Sequence, residues 1–385
     1  MKFASRLVQF DAAPGDRFRP TATPIYQTAT FEQEHADQFG DYDYSRSGNP
    51  TRTVLEEQVA RLEGGTRGFA FASGMAAITA VARTLRTGDE ILADIDLYGG
   101  TCRLFTRILE RAGIKARYAD AGNLESFGAK ITPHTRLIFV ESPTNPLLRV
   151  LDLRALAALA HENKALLVVD NSLMSPYLQN PLALGADIVV HSATKFLGGH
   201  ADVMGGVVVV GDANLADDIY LMQNGEGSAL APFDCFLLLR GLKTLKLRID
   251  AQQRNALGVA EYLAADARVE RVFYPGLNSD AGYALQQQQA SGAGSVLCFT
   301  ARSAEAARAV AEQAKMFQIS VSFGSMHSTI SLPGCMSHAS VPAEIAASRA
   351  LPPELVRVSV GIEDADDLIA DLDRALARSI STPTH

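Results

Sequence analysis

The chain has 385 residues, of which 47% are hydrophobic and 20% are charged. This length allows two or three domains with a large buried core, as in an ordinary globular protein. Acidic residues outnumber basic residues by 43 to 35, which gives a net charge of −8. That excess argues against nucleic acid or an anionic membrane as the main partner. The sequence contains no apolar run of the roughly 20 residues that span a bilayer.

The four cysteines are far apart and form no motif with metal-binding spacing. They predict neither a metal site nor a disulfide framework, and reduced thiols are typical of a cytoplasmic protein. Residues Met1–Pro20 contain no apolar core run before Asp11, so we expect no secretory signal there.

Residues 1–50 are predicted to form an irregular N-terminal arm, because proline and glycine interrupt every periodic pattern in them. A long unpatterned segment in a compact protein is usually either disordered or functional. Tyr42, Tyr44 and Arg46 lie close together in this arm. Disordered tails are poor in aromatic residues, so this group favours a functional arm.

Residues 51–240 alternate between short apolar runs and amphipathic helices. The helix predicted over Thr53–Leu62 ends at Gly64, a common stop signal, and another is predicted over Asp152–His161. Continuous apolar strands separated by helices indicate a mostly parallel sheet that is covered on both faces. The predicted strands are Gly68–Ala72, Glu90–Ala93, Leu137–Val140, Ala165–Val169, Asp187–Val190 and Gly206–Val210.

Residues 241–385 follow a different pattern, which predicts a smaller α+β domain. A long helix is predicted over Leu242–Ala264. The later predicted elements are a strand within Gly292–Thr300, a helix over Ala304–Ala314, a strand near Ile319–Phe323, a strand over Leu355–Gly361 and a helix over Asp366–Arg378.

The predicted parallel strands end in residues that suit a ligand site. Ligands of open α/β sheets bind at the carboxyl ends of the strands. Gly74 follows the first strand, Asp170 ends the fourth, and Lys195 follows the fifth within Ser192–Lys195. The dinucleotide, P-loop, zinc-peptidase and hydrolase motifs GxGxxG, GxxxxGK[ST], HExxH and GxSxG do not occur at such positions.

Lys195 and Asp170 fit a pyridine aldehyde cofactor. A lysine at its usual pKa of about 10 is a poor nucleophile, but beside a carbonyl cofactor it forms a Schiff base and shuttles protons. A buried carboxylate keeps a pyridine nitrogen protonated, so that the ring can accept carbanion electrons. The strand-to-helix turn at Gly74 offers backbone N–H groups to a phosphate. We therefore predict pyridoxal 5'-phosphate as the cofactor.

Ordered motifs over nearly the whole chain support this prediction. They are Tyr42–Arg52, Ser73–Ala77, Tyr98–Thr101, Glu141–Pro146, Val169–Asn171, Ser192–Lys195 and Arg357–Glu363. At these residues the chain resembles the Cys/Met-metabolism family of pyridoxal-phosphate enzymes, which includes cystathionine γ-synthases, cystathionine β- and γ-lyases and methionine γ-lyases. The resemblance implies the type I, aspartate-aminotransferase-like fold and a homotetramer that is built from active dimers.

The resemblance also implies roles for individual residues around the cofactor ring. Lys195 looks like the lysine that binds the cofactor aldehyde, and Asp170 like the partner of the ring nitrogen. Tyr98 resembles the tyrosine that stacks on the ring and acts as acid or base.

Two further groups resemble the family's phosphate contacts. Tyr44 and Arg46 look like the pair that reaches the phosphate of a neighbouring subunit, which would explain the N-terminal arm. The residues that resemble the phosphate cradle of the same subunit are Gly74, Met75, Ser192 and Thr194.

The substrate contacts are implied in the same way. Arg357 resembles the guanidinium that binds the substrate α-carboxylate, a bidentate task for which lysine is poorly suited. Asn145 and Ser322 would assist it, and Arg103 matches an arginine that faces the distal carboxylate of the substrate.

Within the family, several segments are similar to plant-type cystathionine β-lyases: Val169–Pro176, Gln223–Cys235, Ser322–Ser328 and Pro333–Ser340. His327 stands where γ-lyases and synthases usually carry glutamate, and Ser47 departs from an arginine of some bacterial synthases. The resemblance implies a carbon–sulfur lyase that converts L-cystathionine to homocysteine, pyruvate and ammonia in methionine biosynthesis. A cystathionine γ-lyase or γ-synthase is the alternative, and a protein without turnover is disfavoured because every catalytic position is filled.

Overall fold

A computed structural model describes residues 1–336 and 351–380 of the chain. The strands are β1 (Arg67–Phe71), β2 (Glu90–Asp94), β3 (Lys115–Ala119), β4 (Thr135–Glu141), β5 (Leu166–Asp170), β6 (Ile188–Ser192), β7 (Gly206–Val210), β8 (Val269–Phe273), β9 (Val296–Ala301), β10 (Gln318–Ile319), β11 (Thr329–Ser331) and β12 (Leu355–Ser359).

The helices surround two sheets. They are α1 (Phe3–Val8), α2 (Pro50–Glu63), α3 (Gly74–Arg83), α4 (Gly99–Arg103), α5 (Leu124–Gly128), α6 (Leu153–Glu162), α7 (Ser175–Leu178), α8 (Ala213–Gly225), α9 (Pro232–Lys243), α10 (Leu245–Ala265), α11 (Tyr283–Gln289), α12 (Ala304–Gln313) and α13 (Ala365–Ile380). A π-helical segment, Leu104–Ile108, and two 3-10 segments, Leu109–Ala112 and Pro181–Leu184, complete the helical structure. None of the helices in the described ranges is both long enough and apolar enough to cross a membrane.

The larger sheet has seven strands in the order β1-β7-β6-β5-β4-β2-β3. β7 runs antiparallel to both of its neighbours, and the remaining pairs are parallel. Side chains alternate between two buried faces: Val207 and Val209 pack in one hydrophobic cluster, whereas Val208 and Val210 pack in another. The predicted mostly parallel sheet with two covered faces is therefore confirmed.

The six strands predicted for this sheet all occur, with bounds that differ by up to two residues at either end. The seventh strand, β3, was not predicted. It lies at the edge of the sheet, and its sequence Lys-Ala-Arg-Tyr-Ala is half exposed. An edge strand of this kind lacks the continuous apolar run that marks a buried parallel strand. The arm, which was predicted to be irregular, contains the short helix α1.

The smaller sheet has five strands in the order β10-β11-β12-β9-β8. It is antiparallel except between β10 and β11, and it packs with α10, α12 and α13 around one hydrophobic cluster. The strand predicted near Ile319–Phe323 is wrong beyond Ile319, because the chain leaves the sheet there and Ser322 adopts a φ of 85°. β8 and β11 were not predicted.

The single helix predicted over Leu242–Ala264 is wrong at its start, because α9 ends and α10 begins on either side of Thr244. The Arg248 guanidinium, which is buried, donates to the carbonyl oxygens of Gly241 and Phe196 and so fixes the break. The predicted division of the chain after residue 240 falls inside α9, and it stays a prediction.

The turn from β1 to α3 carries Gly74, and the first residue of β7 fixes its position. Gly206 pairs with Phe71 on one side and with Ser192 on the other. A Cβ at Gly206 would overlap the carbonyl oxygen of Ser73 and lie 2.9 Å from the Cβ of Ala77. The close approach of β7 to this turn therefore requires glycine.

We expect Gly206→Ala to destabilise the protein by about 2 kcal/mol, because the added methyl group overpacks a rigid backbone contact. Gly258→Ala is the matched control, since Gly258 lies in α10 with open space around its Cα. That variant should gain up to about 1 kcal/mol from its higher helix propensity. Denaturant unfolding of both variants measures the difference, and equal midpoints would contradict the packing argument.

Candidate active site

A cavity of about 460 Å³ lies at the carboxyl ends of the central strands. The loops that follow β1, β2, β4, β5 and β6 form one part of its wall. Arg357 on β12 and the loop residues Val321, Ser322, Phe323 and Met336 form the rest. Every predicted site residue except Tyr44 and Arg46 lines it. These are Gly74, Met75, Tyr98, Arg103, Asn145, Asp170, Ser192, Thr194, Lys195, Ser322 and Arg357.

Lys195 follows β6 and extends into this cavity. Its Nζ donates a hydrogen bond to the Ser322 hydroxyl and lies 5.0 Å from the centroid of the Phe323 ring. Burial, together with the positive charge of Arg357, lowers the pKa of Lys195 to about 8, although Asp170 partly opposes this shift. A large neutral fraction of this amine therefore exists near pH 8, as a nucleophile or a base requires.

Asp170 is the last residue of β5 and lines the same cavity as Lys195. Burial raises the pKa of its carboxyl group, while hydrogen bonds from Ser172 and electrostatic interactions with His191 and Lys195 oppose the rise. The Ser172 N–H donates to Oδ1 at 3.0 Å. A buried acid of this kind is stabilised by a further cation or N–H donor, and a protonated pyridine nitrogen would be one.

The turn between β1 and α3 forms a small concave surface beside Ser192. The Ser73 hydroxyl accepts from Ala76 N and begins the ten-residue helix α3, whose first N–H groups have no partner within the helix. A Cβ at Gly74 would lie only 2.8 Å from the Cβ of Ser192. Close backbone approach, free N–H groups and hydroxyl groups together fit a phosphate.

Arg357 on β12 is 2% exposed and faces the cavity from the smaller sheet. It donates from Nη1 to the Asn145 side-chain oxygen at 2.8 Å and from Nη2 to the Ser322 carbonyl oxygen at 3.0 Å. Burial lowers its pKa, and within the described ranges no carboxylate is paired with it. A buried guanidinium without an anion is well suited to bind the carboxylate of a ligand.

Tyr98 and Arg103 line the same cavity and lie at the two ends of α4. Tyr98 is 41% exposed, and its ring lies directly against the backbone of Gly100, where a Cβ would overlap it. Its N–H donates to Glu141 Oε1 at 2.7 Å. Arg103 is exposed on the same short helix and lines the cavity.

The residues of this cavity to which the sequence assigned no role include Glu141, Ser172 and Phe323. Glu141 ends β4 as Asp170 ends β5, so the strand-end rule that identified Asp170 was a usable signal. Phe323 contacts both Lys195 and Arg357, at 5.0 and 5.7 Å from its ring centroid. No sequence signal predicted this, because its segment was predicted to be a strand.

Tyr44 and Arg46 lie outside this cavity. Arg46 donates to the Asn224 carbonyl oxygen at 2.7 Å, and its guanidinium lies 5.4 Å from the ring of Tyr44, which is 43% exposed. Their predicted contact with a neighbouring subunit stays a prediction. His327 lines a second cavity of about 440 Å³ that shares Ser322 and Phe323 with the first. Residues 337–340 of the predicted plant-type segment lie outside the described residues.

Comparisons with known proteins identify the family of this chain. The family model described as Cys/Met metabolism PLP-dependent enzyme matches residues 4–377. The chain is 51% identical over 360 residues to a chloroplastic cystathionine beta-lyase of Arabidopsis thaliana, which covers 94% of this chain and 78% of the relative. It is 43% identical over 376 residues to a cystathionine gamma-lyase of Bacillus subtilis, and this match covers 98% of this chain and 99% of the relative.

A solved structure shares the same fold. The crystal structure of cystathionine gamma-lyase from Lactobacillus plantarum, complexed with L-serine, matches with a TM-score of 0.96 and 40% identity over 100% of both chains.

The environment of Lys195 predicts an unusual pH dependence of its reactivity. In the cofactor-free protein, acylation of Lys195 should reach half of its maximum rate near pH 8, because burial disfavours the ammonium form. Lys246, whose pKa is raised by Asp250, is the internal control and should react only at higher pH. Competitive labelling followed by peptide mass spectrometry measures both residues, and a common midpoint would contradict the prediction.

Proposed function

The chain belongs to the Cys/Met-metabolism family of PLP-dependent enzymes, and within it we propose that the protein is a cystathionine β-lyase. Its fold is that of the PLP-dependent lyases, which confirms the predicted type I fold. The reaction would convert L-cystathionine to homocysteine, pyruvate and ammonia. The observation that carries the proposal is the single cavity that contains Lys195, Asp170, Tyr98 and Arg357.

The residues present fit pyridoxal phosphate. Asp170 would hold the ring nitrogen in its protonated form, and the N-terminal turn of α3 with Ser192 and Thr194 would bind the phosphate. Lys195 would bind the aldehyde. When bound, the cofactor supplies an electron sink for the pair that remains on Cα after a proton is removed.

The other residues would orient the substrate. Arg357, supported by Asn145, would bind the α-carboxylate. The substrate would then lie close to Lys195, because Arg357 and Lys195 both donate to Ser322. Arg103 at the cavity rim would attract the distal carboxylate. The neutral Lys195 amine, with a pKa of about 8, would then remove the α-proton, and Tyr98 is the second candidate for this role.

The choice of β- over γ-elimination rests on likeness to the plant enzyme and on the plant-type motifs. Relatives named gamma-lyase also match most of the chain, so a γ-acting enzyme is the second candidate. A γ-elimination needs a further proton from Cβ. The two reactions therefore use the same site residues and differ in whether a base must also reach the Cβ proton of the substrate.

We expect purified enzyme with L-cystathionine to release pyruvate as the main keto acid, because only Cβ–S cleavage leaves a three-carbon keto acid. Chromatography of hydrazone derivatives separates pyruvate from 2-oxobutyrate. Lys195→Ala should lose at least about 1000-fold in kcat, since it removes the acid–base group. If 2-oxobutyrate dominates, the enzyme acts at Cγ and the β-lyase proposal fails.

We further propose that the active unit is a dimer within a homotetramer, in which Tyr44 and Arg46 reach the phosphate of the neighbouring subunit. Their exposure and their absence from the cavity of their own chain support this arrangement. The cytoplasmic location predicted from cysteine usage belongs to the same proposal. All four cysteines lie in the described ranges, and none of them forms a disulfide there.

A mixing experiment tests the shared site. Arg46→Ala and Lys195→Ala should each be strongly impaired alone. Chains co-refolded in equal amounts should recover about a quarter of wild-type activity, because about half of the dimers are mixed and each mixed dimer contains one intact site of two. A mixture of Lys195→Ala with Asp170→Ala is the control and should recover nothing, because both residues belong to the same chain's cavity. No recovery with Arg46→Ala would show that Arg46 does not act across subunits.

A further inference from the structure

We propose that Glu141 is a positioning residue for Tyr98, whose backbone it fixes so that the phenol ring stays at the cavity wall. The inference rests on the proposed function, in which Tyr98 contacts the cofactor ring. It concerns a residue for which neither the sequence motifs nor the proposed reaction supplies a role.

The place of Glu141 in the sheet makes it suitable for this task. It is the last residue of β4, between β2, which leads to Tyr98, and β5, which ends in Asp170. Glu141 and Asp170 are direct partners in the parallel register. The Glu141 side chain lines the cavity, and the residue is 5% exposed. A carboxylate buried to this degree is costly unless hydrogen bonds hold it, so its contacts are well defined.

The contact with Tyr98 is short and involves a charged acceptor. Tyr98 N donates to Glu141 Oε1 at 2.7 Å, which is the usual length for a bond to a carboxylate. This bond fixes the backbone of Tyr98 to the end of a central strand. The helix that follows gives little support of its own, because α4 has five residues and continues as a π-helical segment.

The ring of Tyr98 depends on this backbone position. It lies against Gly100 so closely that a Cβ there would overlap the ring, and the Met75 sulfur lies on the same side. The ring is nevertheless 41% exposed, so side-chain packing alone does not fix it. Stacking requires a defined offset and separation of the two rings, and a shift of the Tyr98 backbone changes both.

The test uses the holoenzyme and its cofactor-resolved form. Glu141→Ala should weaken pyridoxal-phosphate affinity about tenfold, because it removes a charge-assisted hydrogen bond. It should also reduce the visible circular dichroism of the bound cofactor, a signal that reports the asymmetric stacking contact. Glu141→Gln keeps an acceptor oxygen at the same place and should stay within about threefold of wild type. Glu141→Met also removes the carboxylate acceptor but keeps the side-chain volume, so it replaces the alanine variant if that variant folds poorly.

Comparing the effect of Glu141→Ala with and without Tyr98 distinguishes a positioning role of Glu141 from general destabilisation of the protein. In a Tyr98→Ala background, Glu141→Ala should add less than about twofold to the loss of affinity, because its target is gone. Glu90→Ala is the matched control: Glu90 is a buried carboxylate at the first residue of β2, where it binds Arg117 and Thr132. That variant should lose thermal stability but keep cofactor affinity and the dichroic signal.

The outcomes are distinct. If Tyr98→Ala impairs cofactor binding and Glu141→Ala does not, the inference is wrong while the proposed function stands. An equal loss from Glu141→Ala in both backgrounds would also overturn it, since Glu141 would then act apart from Tyr98. If Tyr98→Ala changes neither affinity nor dichroism, the assigned role of Tyr98 fails, and the inference fails with it.

Discussion

The buried Arg357 guanidinium joins the two sheets, and the geometry of the site depends on it. It belongs to the smaller sheet, yet it donates to Asn145, which follows a strand of the larger sheet. It also donates to the carbonyl oxygen of Ser322, whose hydroxyl accepts from Lys195. One cation therefore sets the distance between the residues proposed to bind the substrate carboxylate and the amine proposed to do the chemistry.

The same arrangement has an electrostatic cost that a ligand would relieve. Burial lowers the pKa of Lys195 and Arg357 and raises that of Asp170, so each ionised form is disfavoured relative to water. For Lys195 the cost is present below its folded pKa of about 8, and for Asp170 it is present above its folded pKa. Near neutral pH the protein bears the cost of both ionised groups. A cofactor and a substrate carboxylate would supply the missing partners, so binding would also stabilise the fold.

The central sheet and most of the cavity follow from sequence because buried parallel strands are continuous apolar runs. Asp170 and Lys195, which follow the predicted strands Ala165–Val169 and Asp187–Val190, were found in this way, since parallel strands place their carboxyl ends at one edge of the sheet. The edge strand β3 and the break at Thr244 were missed. β3 carries no apolar run, and the break is imposed by tertiary hydrogen bonds from Arg248. Local pattern does not contain that information.

The roles of two residues of the site were not predicted from the sequence, for a related reason. The left-handed backbone of Ser322 turns its hydroxyl and carbonyl toward two different cations, and nothing in a serine predicts a φ of 85°. Glu141 was read as part of a motif, but its function depends on Tyr98, which is 43 residues away in the chain. Residue type and local spacing identify groups that touch a ligand more readily than groups that hold those residues in place.

The shifted pKa of Lys195 also bears on which bond this site can break. An amine with a pKa of about 8 is close to the value of about 8.5 for a free thiol, so proton transfer between the two is nearly balanced. The amine that is proposed to remove the α-proton could then return a proton to a departing sulfur without a large energetic step in either direction. An ordinary exposed lysine would be mostly protonated at neutral pH and a weak acid toward a thiolate. Burial of one amine beside Arg357 therefore suits both halves of a carbon–sulfur elimination.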